Sequence, residues 1–153
     1  MHRQRGFTLI EAMVTITIVG IALAAAIPSF RGTILQNRLT AATNDFVSAV
    51  ASARAEATKR RTQVNVERVG TSWVNGWRVV VNGSTTAIQS FPAPSGLTMT
   101  NTTASLGFSL TGYRTALGNT TFKICSDDGK GRQIVVAAGG GTTVTRIDSG
   151  CTP

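Results

Sequence analysis

Histidine and cysteine are almost absent from this 153-residue chain, with one His at position 2 and two Cys at positions 125 and 151. The single terminal histidine leaves the body of the chain without the general base of a Ser/His/Asp or Cys/His set. The wide separation of Cys125 and Cys151 excludes a CxxC redox or zinc motif. Aromatic residues make up 6%, and 7 acidic residues face 15 basic ones, for a net charge of +8. There are no internal repeats and no low-complexity linkers beyond Gly139-Gly140-Gly141, which reads as a turn or hairpin tip. What is plentiful is Thr, Gly, Ser, Asn and Val, the residues of short exposed strands and turns.

Charge is scarcest between residues 7 and 27, where Glu11 is the only charged group. About 20 apolar residues at 1.5 Å each span the roughly 30 Å hydrocarbon core of a bilayer, so this stretch is long enough to cross one. The short basic start ahead of it (Met1-His2-Arg3-Gln4-Arg5) should hold the N-terminus in the cytoplasm. The apolar run is too long for an ordinary signal-peptide core, and no A-x-A-like site follows. A carboxylate inside such a helix costs roughly 2.5–3.5 kcal/mol on insertion scales and by default wants a partner. The alternative for Glu11 is a carboxyl near the helix start, favoured by the positive end of the dipole and close enough to the interface to stay wet. Physics alone leaves these two readings even.

Basic residues, Gly6, Phe7, three more residues, Glu11 and then an uninterrupted apolar helix closely resemble the class III signal of type IV prepilins and type II secretion pseudopilins. The resemblance implies that a prepilin peptidase cuts between Gly6 and Phe7 and N-methylates Phe7. It also implies that Glu11 pairs with the terminal amine of a neighbouring pilin during assembly. Pro28 falls where many pilin helices carry a kinking proline. A carboxylate facing an amine in low dielectric is worth far more than in water, and each satisfies a charge the other subunit could not bury alone. Cleavage would remove His2, Arg3 and Arg5, leaving 13 basic residues against 7 acidic ones. The mature chain would then hold no histidine, which argues against an enzyme; no cofactor or metal is expected. Before assembly the chain would sit in the bacterial inner membrane as a single-pass protein, and afterwards in a periplasmic or surface filament with major and minor pilins.

Beyond Pro28 the pattern becomes amphipathic. Leu35, Leu39, Ala42, Phe46, Ala49, Ala53 and Ala57 recur at intervals of three and four and draw one apolar stripe. The spacing predicts one long helix from about 7 to 61, bent at Pro28. Lys59-Arg60-Arg61 closes it, either as cations complementing the helix dipole or as an electropositive contact. From residue 62 the period shifts to two, and strands are predicted near 63–69, 77–81, 86–91, 97–99, 106–108, 121–125, 132–136 and 143–147. Asn82-Gly83 marks a hairpin. The fold class is α+β: a long kinked N-terminal helix packed on an antiparallel β-sheet domain. The expected divisions are a leader at 1–6, a transmembrane assembly half at 7–30, an amphipathic half at 31–61 and a β-rich domain at 62–153.

Trp73 and Trp77 are expected in core or edge packing rather than as a ligand or base-stacking platform, and Arg78, Lys123 and Arg132 on the solvated faces of their strands. With the helix spanning and its start inside, both cysteines lie outside the cytoplasm, where disulfides persist. A Cys125–Cys151 bond closing about 27 residues would contribute roughly 3.5 kcal/mol by chain entropy, two buried thiols being the alternative. The run Phe122-Lys123-Ile124-Cys125, then Gly131-Arg132-Gln133-Ile134-Val135-Val136, a Gly-rich turn, a last strand and Cys151 is similar to the GspH/FimT family of minor pilins and pseudopilins. That resemblance implies a minor pilin at or near a pilus tip. The alternatives are a type II secretion pseudopilin or a receptor for double-stranded DNA. Some FimT-type members bind DNA through a Gly-Arg-x-Arg motif, but here the comparable turn runs from Gly140 to Arg146 and lacks those arginines. Phosphate contacts would then fall to Arg114, Lys130, Arg132 and Arg146. Asp127-Asp128 lies in a turn where side-chain-to-backbone bonding accounts for it, a calcium site being the alternative, with too few ligands in the sequence to assign one.

Overall fold

The structure, a computed structural model, describes residues 6–152 apart from the side chains of residues 25–29. Met1 to Arg5, most of the expected leader, lie outside the described residues, as does the side chain of Pro28; the backbone there is helical, so the proline does not end the helix. One helix, α1 (Leu9–Arg60), precedes eight strands: β1 (Val64–Arg68), β2 (Trp77–Val81), β3 (Ala87–Phe91), β4 (Leu97–Thr100), β5 (Ser105–Phe108), β6 (Thr120–Ser126), β7 (Gly131–Val136) and β8 (Thr142–Ile147). Each predicted strand forms, with its bounds shifted by a residue or so. The chain divides into two units, Met1–Ile34 and Leu35–Pro153, and α1 contributes to both.

In the first unit the described apolar side chains are exposed all round the helix: Phe7 is 81% accessible, and Ile16 and Ile21 are similarly open. Thr15 and Thr17 turn their hydroxyls back onto the carbonyls of Glu11, Ala12 and Met13 at 2.8–2.9 Å, so these residues add little free polarity to that surface. Among the described residues, no helix is long and apolar enough to cross a membrane. The helical stretch with described side chains ahead of Ala25 starts at Leu9 and rises only about 24 Å.

The second unit buries the stripe read from the sequence. Leu39, Phe46, Ala49, Val50, Ala53 and Ala57 are fully buried and Ala42 nearly so, while Leu35 is half-buried. The strands form two antiparallel four-stranded sheets, ordered β3-β2-β1-β5 and β4-β6-β7-β8. Phe46 reaches both. Its ring lies 4.6 Å from Phe122 on β6, and 5.4 and 5.7 Å from Trp77 and Trp73 in edge-on contacts. Both tryptophans are buried as expected, and Trp73 Nε1 donates to the Thr103 carbonyl at 2.7 Å. A single 3-10 turn, Trp73–Asn75, stands inside the loop between β1 and β2; Ser72 caps it by accepting from the Val74 amide.

The alternation of β1 predicts a half-buried strand, but Val64, Asn65 and Val66 are all buried. Asn65 accepts from Gln63 Nε2 at 2.9 Å and donates to Asn82 Oδ1 at 3.1 Å, which satisfies it under cover. The residue beside it on β5 is Gly107, where any Cβ would come within 2.4 Å of the Thr115 hydroxyl. The loop after β5 can therefore close over this face.

Arg61 takes a left-handed φ of 51°, and the Thr62 amide reaches back to the Ala57 carbonyl at 3.2 Å, closing the last turn. Glu56 pairs with both Lys59 and Arg60.

Because Phe46 touches aromatic rings of both sheets, Phe46→Ala should remove about 3–5 kcal/mol of stability. Urea denaturation followed by tryptophan fluorescence checks this; an unchanged midpoint would show that the two sheets pack without it.

Candidate functional site

Two regions carry the residues singled out from the sequence. At the start of α1 the Glu11 amide donates to the Thr8 hydroxyl at 3.4 Å, and the Ala12 amide to the Thr8 carbonyl at 3.2 Å. Thr8 is thus the N-cap and Glu11 the third helical residue, the spacing of a capping box. That Thr-x-x-Glu signal was present in the sequence and was overlooked. The hydroxyl of Thr8 serves the amide, and among the described residues the Glu11 carboxylate has no ion-pair partner. Residues 7–24 present no other charge and an exposed apolar surface.

The second region is the end of the β-rich unit. Among the four candidate phosphate contacts, Arg114 is corrected outright: it is only 8% exposed. Its guanidinium donates from Nη1 to the carbonyls of Gly118 and Val136 at 3.0 and 3.2 Å, tying the loop after β5 to the end of β7. Burial lowers its pKa, the sign of a cation without a charged partner. Arg132 and Arg146 are direct cross-strand neighbours on β7 and β8. Arg132 lies in phase with buried Ile134 and Val136 rather than on the solvated face expected of it, and is half-buried there. Lys123 is exposed as expected, and Arg78 is half-exposed and paired with Glu67 at 3.4 Å. Arg146 is paired with Asp148, and Lys130 with Asp128 at 3.1 Å. Arg132 and the Val136 carbonyl that holds Arg114 are four residues apart on one strand, roughly 13 Å. The four cations do not converge.

The Cys125–Cys151 disulfide is formed. It brings the C-terminal segment over the β6–β7 hairpin, where the Cys151 amide donates to the Gly129 carbonyl at 2.9 Å. Gly131 lies directly beneath: a Cβ there would meet the Cys151 Sγ at 2.2 Å. The hairpin turn is tied by Asp128, which accepts from the Ser126 hydroxyl and from the Lys130 amide at 3.3 Å. These donors share Oδ1 while the Lys130 ammonium faces Oδ2 at 3.1 Å, and among the described residues no group of three or more acidic, His or Cys side chains is placed to hold a metal. The bond from Ser126, then that from Lys130, holds the Asp128 carboxyl below its ordinary pKa. A depressed pKa means that Asp128 supports the turn above the ordinary carboxylate value and loses that support as pH falls through the lowered one. Protection of the Lys130 amide from exchange should therefore fall on acidification below about pH 4, and Asp128→Asn should remove this pH dependence. An acid response unchanged in the variant would assign it to another group.

Comparison with known proteins places this geometry. A model described as type II transport protein GspH matches residues 42–140, and one for the prokaryotic N-terminal methylation motif matches residues 1–27. A type IV major alpha-pilin of Moraxella bovis is 33% identical over 75 residues, 49% of this chain and 47% of that protein, so the match spans about half the length of this curated relative. Among solved structures, the type IV minor pilin FimU of Pseudomonas aeruginosa superposes with a TM-score of 0.64 at 21% identity, over 76% of this chain and 97% of that one. The minor pseudopilin EpsH of the Vibrio cholerae type 2 secretion system does so with a TM-score of 0.54 at 11% identity, over 73% and 99%. With the type IV pilin fold in place and the GspH model covering well over half of its length, the chain belongs to the GspH family, whose members are structural subunits rather than enzymes.

Proposed function

We propose that this chain is a minor pilin, a structural subunit of a type IV pilus acting in the tip or initiation complex. In this reading it is made as a prepilin, cut by prepilin peptidase between Gly6 and Phe7, and methylated on Phe7. The observation that carries the reading is the first unit: a helix with apolar side chains exposed on every side and one carboxylate, Glu11, near its start. Such a surface is stable only in lipid or among like helices. It therefore fits residence in the inner membrane, N-terminus inside, followed by transfer into a filament. Because Thr8 already caps the helix, the Glu11 carboxylate is left to face the Phe7 amine of a neighbour. The division into 7–30 for assembly and 31–61 for packing on the β-rich part is supported by the change from exposed to buried apolar side chains along α1, which falls a few residues later, between Ile34 and Leu39. The pilus reading is supported by the higher TM-score on FimU, 0.64 against 0.54 on EpsH. A type II secretion pseudopilin is the alternative subunit role, supported by the description of the family model.

The measurement is made on sheared filaments. Glu11→Ala should leave cleavage after Gly6 intact while lowering incorporation at least tenfold, the loss expected from one unpaired buried charge. Normal incorporation would remove Glu11 from the assembly role.

The second reading, a DNA receptor, draws on the juxtaposed Arg132 and Arg146 and on the basic balance of the chain. Against it stand the buried Arg114 and the carboxylates already engaged with Arg146 and Lys130. Titrating a DNA duplex with the full chain in detergent, across a salt series, decides between them. A receptor should bind in the micromolar range, lose affinity steeply with salt and weaken on Arg146→Ala and Arg132→Ala. The structural reading expects no binding at low salt.

A further inference from the structure

Five large apolar side chains are exposed among the described residues of Leu35–Pro153, and three of them, Leu110, Tyr113 and Leu117, sit in the eleven residues joining β5 to β6. That loop is firmly held. The Ser109 amide donates to the Tyr113 carbonyl and the Gly112 amide to the Ser109 carbonyl, both at 2.8 Å. The Arg114 amide donates to Ala138 at 3.0 Å and the Thr115 amide to Gly107 at 2.9 Å. The buried Arg114 guanidinium adds its two bonds to Gly118 and Val136. A loop tied at this many points presents its apolar side chains as a fixed surface, with Leu117 fully open.

Beside it runs an open groove of about 660 Å³ between α1 and the β7–β8 hairpin tip, walled by Ala51, Ala55, Lys59, Gly140 and Thr142. Arg54 lies in it. Its stem passes between Gly112 and Gly140, where added Cβ atoms would come within 3.3 Å of the Arg54 side chain. Both glycines hold left-handed φ values of about 80°, which disfavours any side chain there. Arg54 is thereby positioned, yet among the described residues it has no ion-pair partner, and no acidic residue lines the groove.

We propose that the β5–β6 loop and this groove form one docking surface for an acidic, amphipathic segment of another protein subunit, with a carboxylate facing Arg54 and apolar side chains against Leu110, Tyr113 and Leu117. The proposal rests on the reading of the chain as an assembling subunit. A protein segment suits the surface better than a nucleic acid does. Aromatic and aliphatic side chains around one desolvated charge pair are the composition of a protein interface core. A phosphate backbone would set its charges against leucines and find one unpaired arginine.

The test places a photoreactive benzophenone amino acid in place of Leu117 in the full chain, in cells that assemble the filament. Irradiation should give one discrete protein adduct, and the linked peptide should carry Asp or Glu within a helical turn of apolar residues. Arg54→Glu should lower its yield roughly tenfold, and Lys in place of the partner carboxylate should restore it. Tyr113→Ser should lower the yield while leaving the thermal midpoint of the chain unchanged. An adduct to nucleic acid, a linked peptide without acidic residues, or a yield indifferent to Arg54→Glu overturns the proposal. A chain present in filaments without any adduct also sinks it and leaves the pilin reading standing. A chain absent from filaments removes both.

Discussion

The contact of Phe46 with the rings of Trp73, Trp77 and Phe122 is the constraint from which the β-rich unit takes its form. Two sheets of four strands, each with one face to bury, share no ladder of hydrogen bonds with each other. What they share is one helix face, and on that face Phe46 is the large side chain among alanines. The alanines at 42, 49, 53 and 57 let the backbone of the helix approach both sheets closely, and the phenylalanine fills the space left between them. Everything farther along the chain inherits this arrangement, including the β7–β8 hairpin and the loop that Arg114 fastens to it.

The two units solve opposite problems with similar residues. In Leu35–Pro153 apolar side chains are mostly covered; in Met1–Ile34 the described ones are exposed. A helix of the second kind has its partners supplied by its surroundings, be they lipid tails or the helices of other subunits. Hence the segment most easily recognised in the sequence is also the one whose packing a single chain cannot display. The β-rich unit is in the reverse position, folded by its own core and recognisable only through looser motifs.

Much of this was legible from local pattern. The stripe from Leu39 to Ala57 and the strand positions follow from periods of 3.6 and 2, and the disulfide from compartment and spacing. The misreadings share a cause, which is that alternation along a strand does not say what lies above its outer face. Alternation over 63–69 gives a half-buried strand, but the loop after β5 lies over Asn65, and Gly107 makes room for that loop. Arg114 looked like a surface cation because nothing in its neighbourhood marks it as a strut bonded to a carbonyl 22 residues away. Arg132 falls on the inward face because it is in phase with Ile134 and Val136 and lies opposite buried Ile124 on β6. The division into two sheets depended on pairing partners far apart in sequence, as when β1 finds β5. Periodicity holds no information on that.

The sulfur of Cys151 rests on Gly131 at a distance that leaves no room for even a methyl group. Position 131 and the cysteine pair are therefore a single heritable unit. A lineage that keeps the bond is confined to glycine there, and one that acquires a side chain at 131 must first give up its oxidised tail. Along the rest of β7 substitutions can accumulate one at a time; at this crossing, drift is possible only in step.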